Sequence, residues 1–227
     1  MTSNLHIEPI PPLGVRGLLI PTYFPSISNM VAVANADELV FEVEDNFQKQ
    51  TNRTRTYIYS PNGIQILNIP VKHSKELHQK TKDVKIENDF DWQKQHLKSL
   101  EAAYRSSPFF EYFEDELQSI FAKKHDFLLD LNLESIELCF KFLRLNKTFE
   151  KTQEYFREPI NTLDFRNLAD GKKDKSIFEP YKQVFDDKCG FLNNLSVLDL
   201  IFNDGKFALD YLLRNQKAIN IELNNSL

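Results

Sequence analysis

Two short apolar runs separated by a short helical pattern constrain the fold of this chain more than any other feature. The first, at 15–20, is typical of a strand buried on both faces. The second, at 38–43, follows a helical pattern that ends at Ala36 and that Ser26 or Ser28 can cap. Strand, helix and strand in this order form a βαβ unit, whose two strands lie parallel. The amino-terminal part is therefore predicted to be α/β.

A β-hairpin is predicted directly after this unit. Residues 54–60 and 64–71 both favour strands, and Pro61-Asn62-Gly63 separates them. Asn-Gly between two such runs indicates a tight turn, because both residues accept positive φ angles. The lysine-rich segment 72–83 is predicted to be a solvated loop, and 84–87 a short edge strand.

Helical patterns predominate from Asp91 onwards. Asp91 can cap a helix that runs to about Arg105. Further helices are predicted at 109–124, within 126–145, near 193–202 with Asn193 or Asn194 as the cap, and up to 213, with a strand at 181–185.

The predicted fold class is thus α/β, with a mixed α+β arrangement as the alternative. It comprises a small mixed sheet with a βαβ start and a hairpin, followed by a helix-rich carboxyl-terminal half. We expect 1–90 to carry candidate anion-binding loops and 91–227 to pack on it within one compact domain.

Composition excludes several classes of protein. The chain has 227 residues, of which 41% are hydrophobic and 27% charged, as in ordinary globular proteins. Its net charge of −5 argues against a nucleic-acid partner or an anionic membrane. No apolar run reaches the roughly 18 residues of a membrane span. Cys139 and Cys189 have no metal or redox spacing, and the amino terminus lacks secretion-signal features, so a cytoplasmic location is expected.

Motifs for common cofactors are absent from the sequence. It contains no glycine-rich dinucleotide fingerprint and no P-loop, so the sequence does not identify a cofactor. His73, Glu76 and His78 lie on the lysine-rich segment, where solvated side chains are a better interpretation than metal ligands. No metal site is predicted.

A basic run at 49–55 is stronger evidence for a ligand site than the histidines of the lysine-rich segment. It contains Lys49, Arg53 and Arg55, and guanidinium groups match phosphate or carboxylate geometry. On a strand, Arg53 and Arg55 would share a face with Tyr57 and Tyr59, which suits an anionic, partly planar ligand. The alternative is a solvated face with arginine stems packed over the tyrosine rings.

Acidic residues close the second predicted strand. The carboxyl end of this strand carries Glu42, Glu44 and Asp45, and Tyr23 follows the first strand. Ligands bind beyond the carboxyl ends of parallel strands, so Glu44 could act as a general base, or Glu42 and Glu44 could hold Mg²⁺. Alternatively these acids are solvated or paired with nearby arginines.

His96 is placed on the apolar stripe of the helix that begins near Asp91. An ordinary histidine pKa near 6.5 suits proton transfer. His96 is therefore a candidate catalytic residue, and a satisfied core histidine is the alternative.

These residues resemble the WbqC-like protein family, in the form of its Bacteroidetes-type members. The resemblance rests on IPTYFP at 20–25, ADELVFE at 36–42, FQKQTNRTR at 47–55, the hairpin at 62–71, WQKQHLKSLEAAYRSSPFF at 92–110, YKQVF at 181–185 and the segment 190–205. Many family members begin the first loop with Gln-Pro, whereas this chain has Ile20-Pro21. The resemblance implies an association with surface polysaccharide biosynthesis, and site roles for Tyr23, Lys49, Arg53, Arg55 and His96.

The functional hypothesis combines this resemblance with the basic run. We expect a transferase-type enzyme that acts on a phosphate-bearing activated small molecule, a nucleotide-linked sugar. Lys49, Arg53 and Arg55 would bind phosphate, and His96 or Glu44 would remove a proton. The alternative is a non-catalytic binding or assembly protein for polysaccharide synthesis. Convergence of Tyr23 and the basic run with His96 on one cleft would favour the enzyme.

Overall fold

The predicted βαβ unit opens the fold. In the computed structural model, which describes residues 15–74 and 77–219, β1 (Arg16–Leu19) and β2 (Glu38–Phe41) lie parallel. The helix α1 (Ile27–Asn35) connects them, and Ser26 is its N-cap, with a hydroxyl that accepts a hydrogen bond from the backbone N–H of Asn29. The predicted α/β class is confirmed.

Two very short strands from the second half of the chain complete the parallel sheet. β5 (Glu150–Lys151) pairs with β2, and β6 (Leu163–Asp164) pairs with β1, which gives the order β5-β2-β1-β6. Because each strand is parallel to its neighbour, their carboxyl ends lie along one edge. This edge positions the candidate site.

The hairpin forms a second, two-stranded sheet. β3 (Arg55–Ser60) and β4 (Gly63–Asn68) are antiparallel, and Ser60 is paired with Gly63. The two turn residues are therefore Pro61 and Asn62, and neither has a positive φ. The φ of Gly63, the first residue of β4, is positive, at 94°. The hairpin is confirmed, but the prediction of positive φ at both Asn62 and Gly63 is wrong. Proline, with its φ fixed near −65°, suits the first position of an ordinary turn that ends in glycine.

The helix-rich half contains α2 (Trp92–Tyr104), α3 (Phe110–Ala122), α4 (Leu128–Leu143), α5 (Asp186–Cys189), α6 (Val197–Asp204) and α7 (Ala208–Arg214). The apolar stripes of α2, α3, α4, α6 and α7 share one core with α1, the parallel sheet and the hairpin, whereas α5 has no buried residue. Within the described residues, no helix is long and apolar enough to cross a membrane.

Some local predictions are wrong. Residues 181–185 do not form a strand, because Tyr181 and Gln183 instead direct their side chains to buried Asp199. The cap of α6 is Ser196 rather than Asn193 or Asn194, because these two amides accept hydrogen bonds from other parts of the backbone.

Two further predictions are only partly realised. Asp91 precedes α2 as predicted, but its side chain makes no capping hydrogen bond. Residues 84–87 contribute isolated bridges, such as that between Val71 and Ile86, rather than an edge strand.

Candidate functional site

A polar cavity of about 400 Å³ lies at the carboxyl edge of the parallel sheet. Its lining comprises Ile20, Glu44, Asp45, Asn46, Gln48, Arg53, Lys80, Tyr155, Asp164, Arg166, Asn167, Asp170 and Lys173. Apart from Lys80, which comes after the hairpin, these residues end or follow β1, β2, β5 and β6, so four strand ends contribute to one cavity. Its position is the usual ligand position of parallel sheets, and its size is in the range of small-molecule sites.

A buried ion pair forms part of the cavity wall. Arg53 Nη2 lies 2.6 Å from Asp45 Oδ2, and both side chains are almost fully buried. Arg53 Nη1 also donates to Thr51 Oγ1 at 3.1 Å. Because Arg53 is paired with Asp45, the pair carries no net charge, and Arg53 is not a free anion-binding fork.

The segment after β2 is held by the lysine-rich segment. Phe47 N donates to Gln79 O at 2.9 Å, and Thr81 N donates to Asp45 O at 3.0 Å. Lys80 donates to the backbone carbonyl of Glu44. Residues 79–81 of the segment 72–83, which is predicted to be a solvated loop, are therefore fixed to the segment after β2.

Arg166 joins two strand ends. Its Nε and Nη2 bind both carboxylate oxygens of Asp164, at 2.8 and 2.6 Å. Its remaining hydrogen bonds go to the backbone carbonyls of Phe156 and Arg157, and Nη1 lies 3.7 Å from Glu42 Oε2. Hydrogen bonding to Asp164 raises the pKa of Arg166, despite an opposing effect of burial. Arg166 therefore holds the end of β6 against the segment that follows β5.

Two lysines in the lining are less committed than the arginines. Lys80 donates to a backbone carbonyl rather than to a carboxylate. Lys173 is mostly exposed, and its Nζ lies 3.8 Å from Asp170 Oδ2. Each ammonium has three N–H donors, so both retain capacity for an anion.

Tyr23 and His96 meet in the core, outside this cavity lining. Tyr23 Oη lies 2.9 Å from His96 Nδ1, and His96 Nε2 lies 3.1 Å from Asn68 O. Since a carbonyl only accepts, Nε2 carries the proton and the Tyr23 hydroxyl donates to Nδ1. Burial lowers the pKa of His96 to about 4, against the opposing effect of the Asn68 hydrogen bond. The imidazole is thus neutral and fully hydrogen-bonded near pH 7.

The structure distributes the predicted site residues over different places. Glu44 and Arg53 line the cavity. Lys49 is exposed and Arg55 is half-buried, and neither belongs to the lining. Tyr23 meets the basic run through its backbone, where Tyr23 N donates to Asn52 O at 3.0 Å.

Several lining residues were missed from the sequence, among them Lys80, Tyr155, Arg166 and Lys173. The two-residue strands β5 and β6 place the last three, and strands this short have no readable periodicity. The turn-prone segment 170–175 was the only available signal.

No group of three metal-ligating side chains occurs within 15–74 and 77–219. Glu76, which the sequence placed between His73 and His78, lies outside the described residues.

Comparison with known proteins identifies relatives of this chain. The sequence profile of the WbqC-like protein family matches residues 21–170. An uncharacterised protein of Mycobacterium tuberculosis is 26% identical over 220 residues, which cover 84% of this chain and 94% of that protein. No solved structure gives a significant match.

Proposed function

Because the chain belongs to the WbqC-like protein family, we propose that it is a transferase-type enzyme of surface polysaccharide biosynthesis. Its substrate would be a phosphate-bearing activated small molecule, a nucleotide-linked sugar. The observation that carries the proposal is the polar cavity at the carboxyl edge of the parallel sheet. The amino-acid side chains around it supply both an anion site and a carboxylate.

Phosphate binding is assigned to Lys80 and Lys173, whose ammonium groups are the least committed in the lining. They would stabilise the negative charge that develops on the leaving phosphate. The buried pair of Arg53 and Asp45 would hold the wall beside them in one geometry. Groups that are held in place in this way need no reorganisation during the reaction.

Proton removal is assigned to Glu44. Its side chain lines the cavity, and Lys82 binds its Oε1 at 2.6 Å. In the proposed step, the attacking hydroxyl or amine transfers its proton to Glu44 as it bonds to the sugar, and the phosphate leaves with the electrons of the broken bond. Tyr23, Lys49, Arg55 and His96 stay predictions as site residues. The geometry favours Glu44 over His96 as the base, because His96 lies outside the lining.

Ligand binding is the first test. A thermal-shift screen of nucleotides, sugar nucleotides and acyl-CoAs should raise the unfolding midpoint with sugar nucleotides, since a ligand of the folded state stabilises it. Calorimetry should then show that Lys173→Ala weakens sugar-nucleotide binding about tenfold, the loss expected for a charge-assisted hydrogen bond. Lys98→Ala, an exposed lysine on α2, is the matched control. Binding that is equal in the wild type and Lys173→Ala would refute the phosphate assignment.

Catalysis is tested separately with Glu44→Gln. Since a general base contributes roughly 10²–10⁴-fold, this variant should bind the sugar nucleotide but release the free nucleotide at least about 100-fold more slowly. Equal rates in both proteins would remove Glu44 from the mechanism.

The second candidate function is a non-catalytic binding or assembly protein. An apolar groove of about 480 Å³ between α3, α4 and α7 favours it, because exposed Tyr112 lies beside Phe142 and Leu209 there. Sugar nucleotides that bind but are never turned over would support this alternative.

A further inference from the structure

Tyr155 is an accessible aromatic residue in a cavity that is lined mostly by polar side chains. Its residue surface is 49% exposed, and it lines the cavity together with Arg166. The guanidinium carbon of Arg166 lies 5.0 Å from the centre of the Tyr155 ring, in a cation–π contact. The ring is thus supported by protein and still accessible to a ligand.

The support is built to keep this ring in place. Arg166 binds the carbonyl oxygens of Phe156 and Arg157, the two residues after Tyr155, at 2.8 and 2.9 Å. The same guanidinium is fixed by both oxygens of Asp164 at the end of β6. An exposed tyrosine therefore sits on a segment that is anchored to the sheet, which reduces the entropy lost when a ligand stacks on it.

Three amide side chains add hydrogen-bonding capacity to the same cavity. Asn46, Gln48 and Asn167 line it, and none of their side chains makes a hydrogen bond to the described part of the chain. Each amide offers donors and an acceptor together. Asn167 is next to Arg166 in sequence and so lies close to the support of the ring.

We propose that Tyr155 stacks on the nucleobase of the ligand and that Asn167 binds the edge of this base. The inference rests on the proposed function and extends it, because it assigns the base of the nucleotide-linked sugar to the wall formed by Tyr155. A planar base uses both features, since its face stacks on an aromatic ring while its edge offers hydrogen-bond donors and acceptors.

The test compares probes with and without a base. Uridine monophosphate, adenosine monophosphate and ribose phosphate are titrated calorimetrically into the wild type, Tyr155→Ala and Tyr155→Phe. Tyr155→Ala should weaken the binding of both nucleotides about tenfold or more, which is the effect of losing one base–aromatic stack. Tyr155→Phe keeps the ring and should bind as the wild type does, and ribose phosphate should bind equally to all three proteins.

Phe156→Ala is the matched control, because Phe156 is 56% exposed next to Tyr155 but does not line the cavity. It should leave all three affinities unchanged, and unfolding midpoints of the variants check that they fold. Asn167→Ala should weaken the binding of the nucleotides and leave the binding of ribose phosphate unchanged.

The outcomes separate this inference from the proposed function. If Lys173→Ala lowers the affinity for every probe while Tyr155→Ala lowers the affinity for none, the phosphate assignment stands and the base assignment is refuted. If Tyr155→Ala weakens the nucleotides while Lys173→Ala changes no probe, the base assignment stands and the phosphate assignment is refuted. Equal weakening of ribose phosphate and nucleotides by Tyr155→Ala, or binding of no probe to the wild type, would overturn the inference.

Discussion

Replacing His96 by glutamine should remove a pH-dependent part of the stability of this protein. His96 is 5% exposed, and burial lowers its pKa from the ordinary 6.5 to about 4. In the folded state its Nε2–H donates to Asn68 and its Nδ1 accepts from Tyr23. Protonation of Nδ1 would break the second bond and place a charge in an apolar environment.

The direction of the pH dependence follows from proton uptake by the folded and the unfolded state. Above pH 6.5 the imidazole is neutral in both, whereas between pH 6.5 and about pH 4 only the unfolded state binds the proton. The free energy of unfolding therefore falls as the pH falls. Each pKa unit corresponds to about 1.4 kcal/mol, so the loss approaches about 3 kcal/mol. Glutamine does not titrate and can still donate to Asn68.

Urea unfolding at a series of pH values measures this effect. Trp92 is the single tryptophan, and its ring lies 5.2 Å from the His96 ring, so its fluorescence reports on this part of the core. The wild type should lose about 3 kcal/mol more than His96→Gln between about pH 7 and pH 4.

Tyr23→Phe is the control, because it removes the hydroxyl but keeps the titrating imidazole, and so should retain most of the pH dependence. Other groups titrate in this range, and the difference between wild type and variant cancels their contribution. A difference that stays constant from pH 7 to pH 4, or a His96 proton resonance that titrates near 6.5, would refute the reasoning.

Two other predictions concern stability. Asp45→Asn leaves Arg53 charged and buried without its partner, so urea unfolding should show a loss of about 3–5 kcal/mol, and a loss below about 1 kcal/mol would mean that the pair is effectively solvated. Gly205 and Gly63 both have positive φ, but only at Gly205 would an added Cβ clash, 2.7 Å from the Phe109 ring. Gly63→Ala should lower the free energy of unfolding by about 1–2 kcal/mol, and Gly205→Ala should lower it distinctly more. Equal losses of stability in thermal unfolding would contradict this steric argument.

Much of the fold was predictable because its signals are local. The βαβ unit and the hairpin depend on strand runs, a serine cap and a turn, all of which lie within a few residues of each other. The apolar stripes of α2 to α4 were readable for the same reason. The strands β5 and β6 were not, because their pairing with β2 and β1 depends on contacts more than 100 residues apart in the chain.

The candidate site was predicted only in part. The rule that ligands bind at the carboxyl ends of parallel strands pointed to the edge where the polar cavity lies, and Glu44 and Arg53 line this cavity. The sequence could not show that Arg53 is paired with Asp45, since both the ion-paired and the free arginine fit the same pattern. It also could not place Tyr155 on Arg166, because that contact depends on the position of β6.

By itself, then, the sequence determined the class of fold, the family and the edge of the sheet where a ligand is expected. The fold class and the edge follow from propensity and periodicity, which act over short stretches of chain. The family follows from the resemblance of sequence motifs such as IPTYFP at 20–25. The tertiary structure alone decided which charged groups are free and which are paired. It placed His96 in the core and Lys80 in the cavity, although a helical stripe favours a buried position only in general and a lysine-rich segment suggests only solvent. The physical reason is that burial and ion pairing depend on the distances between elements far apart in the chain, which no local pattern specifies.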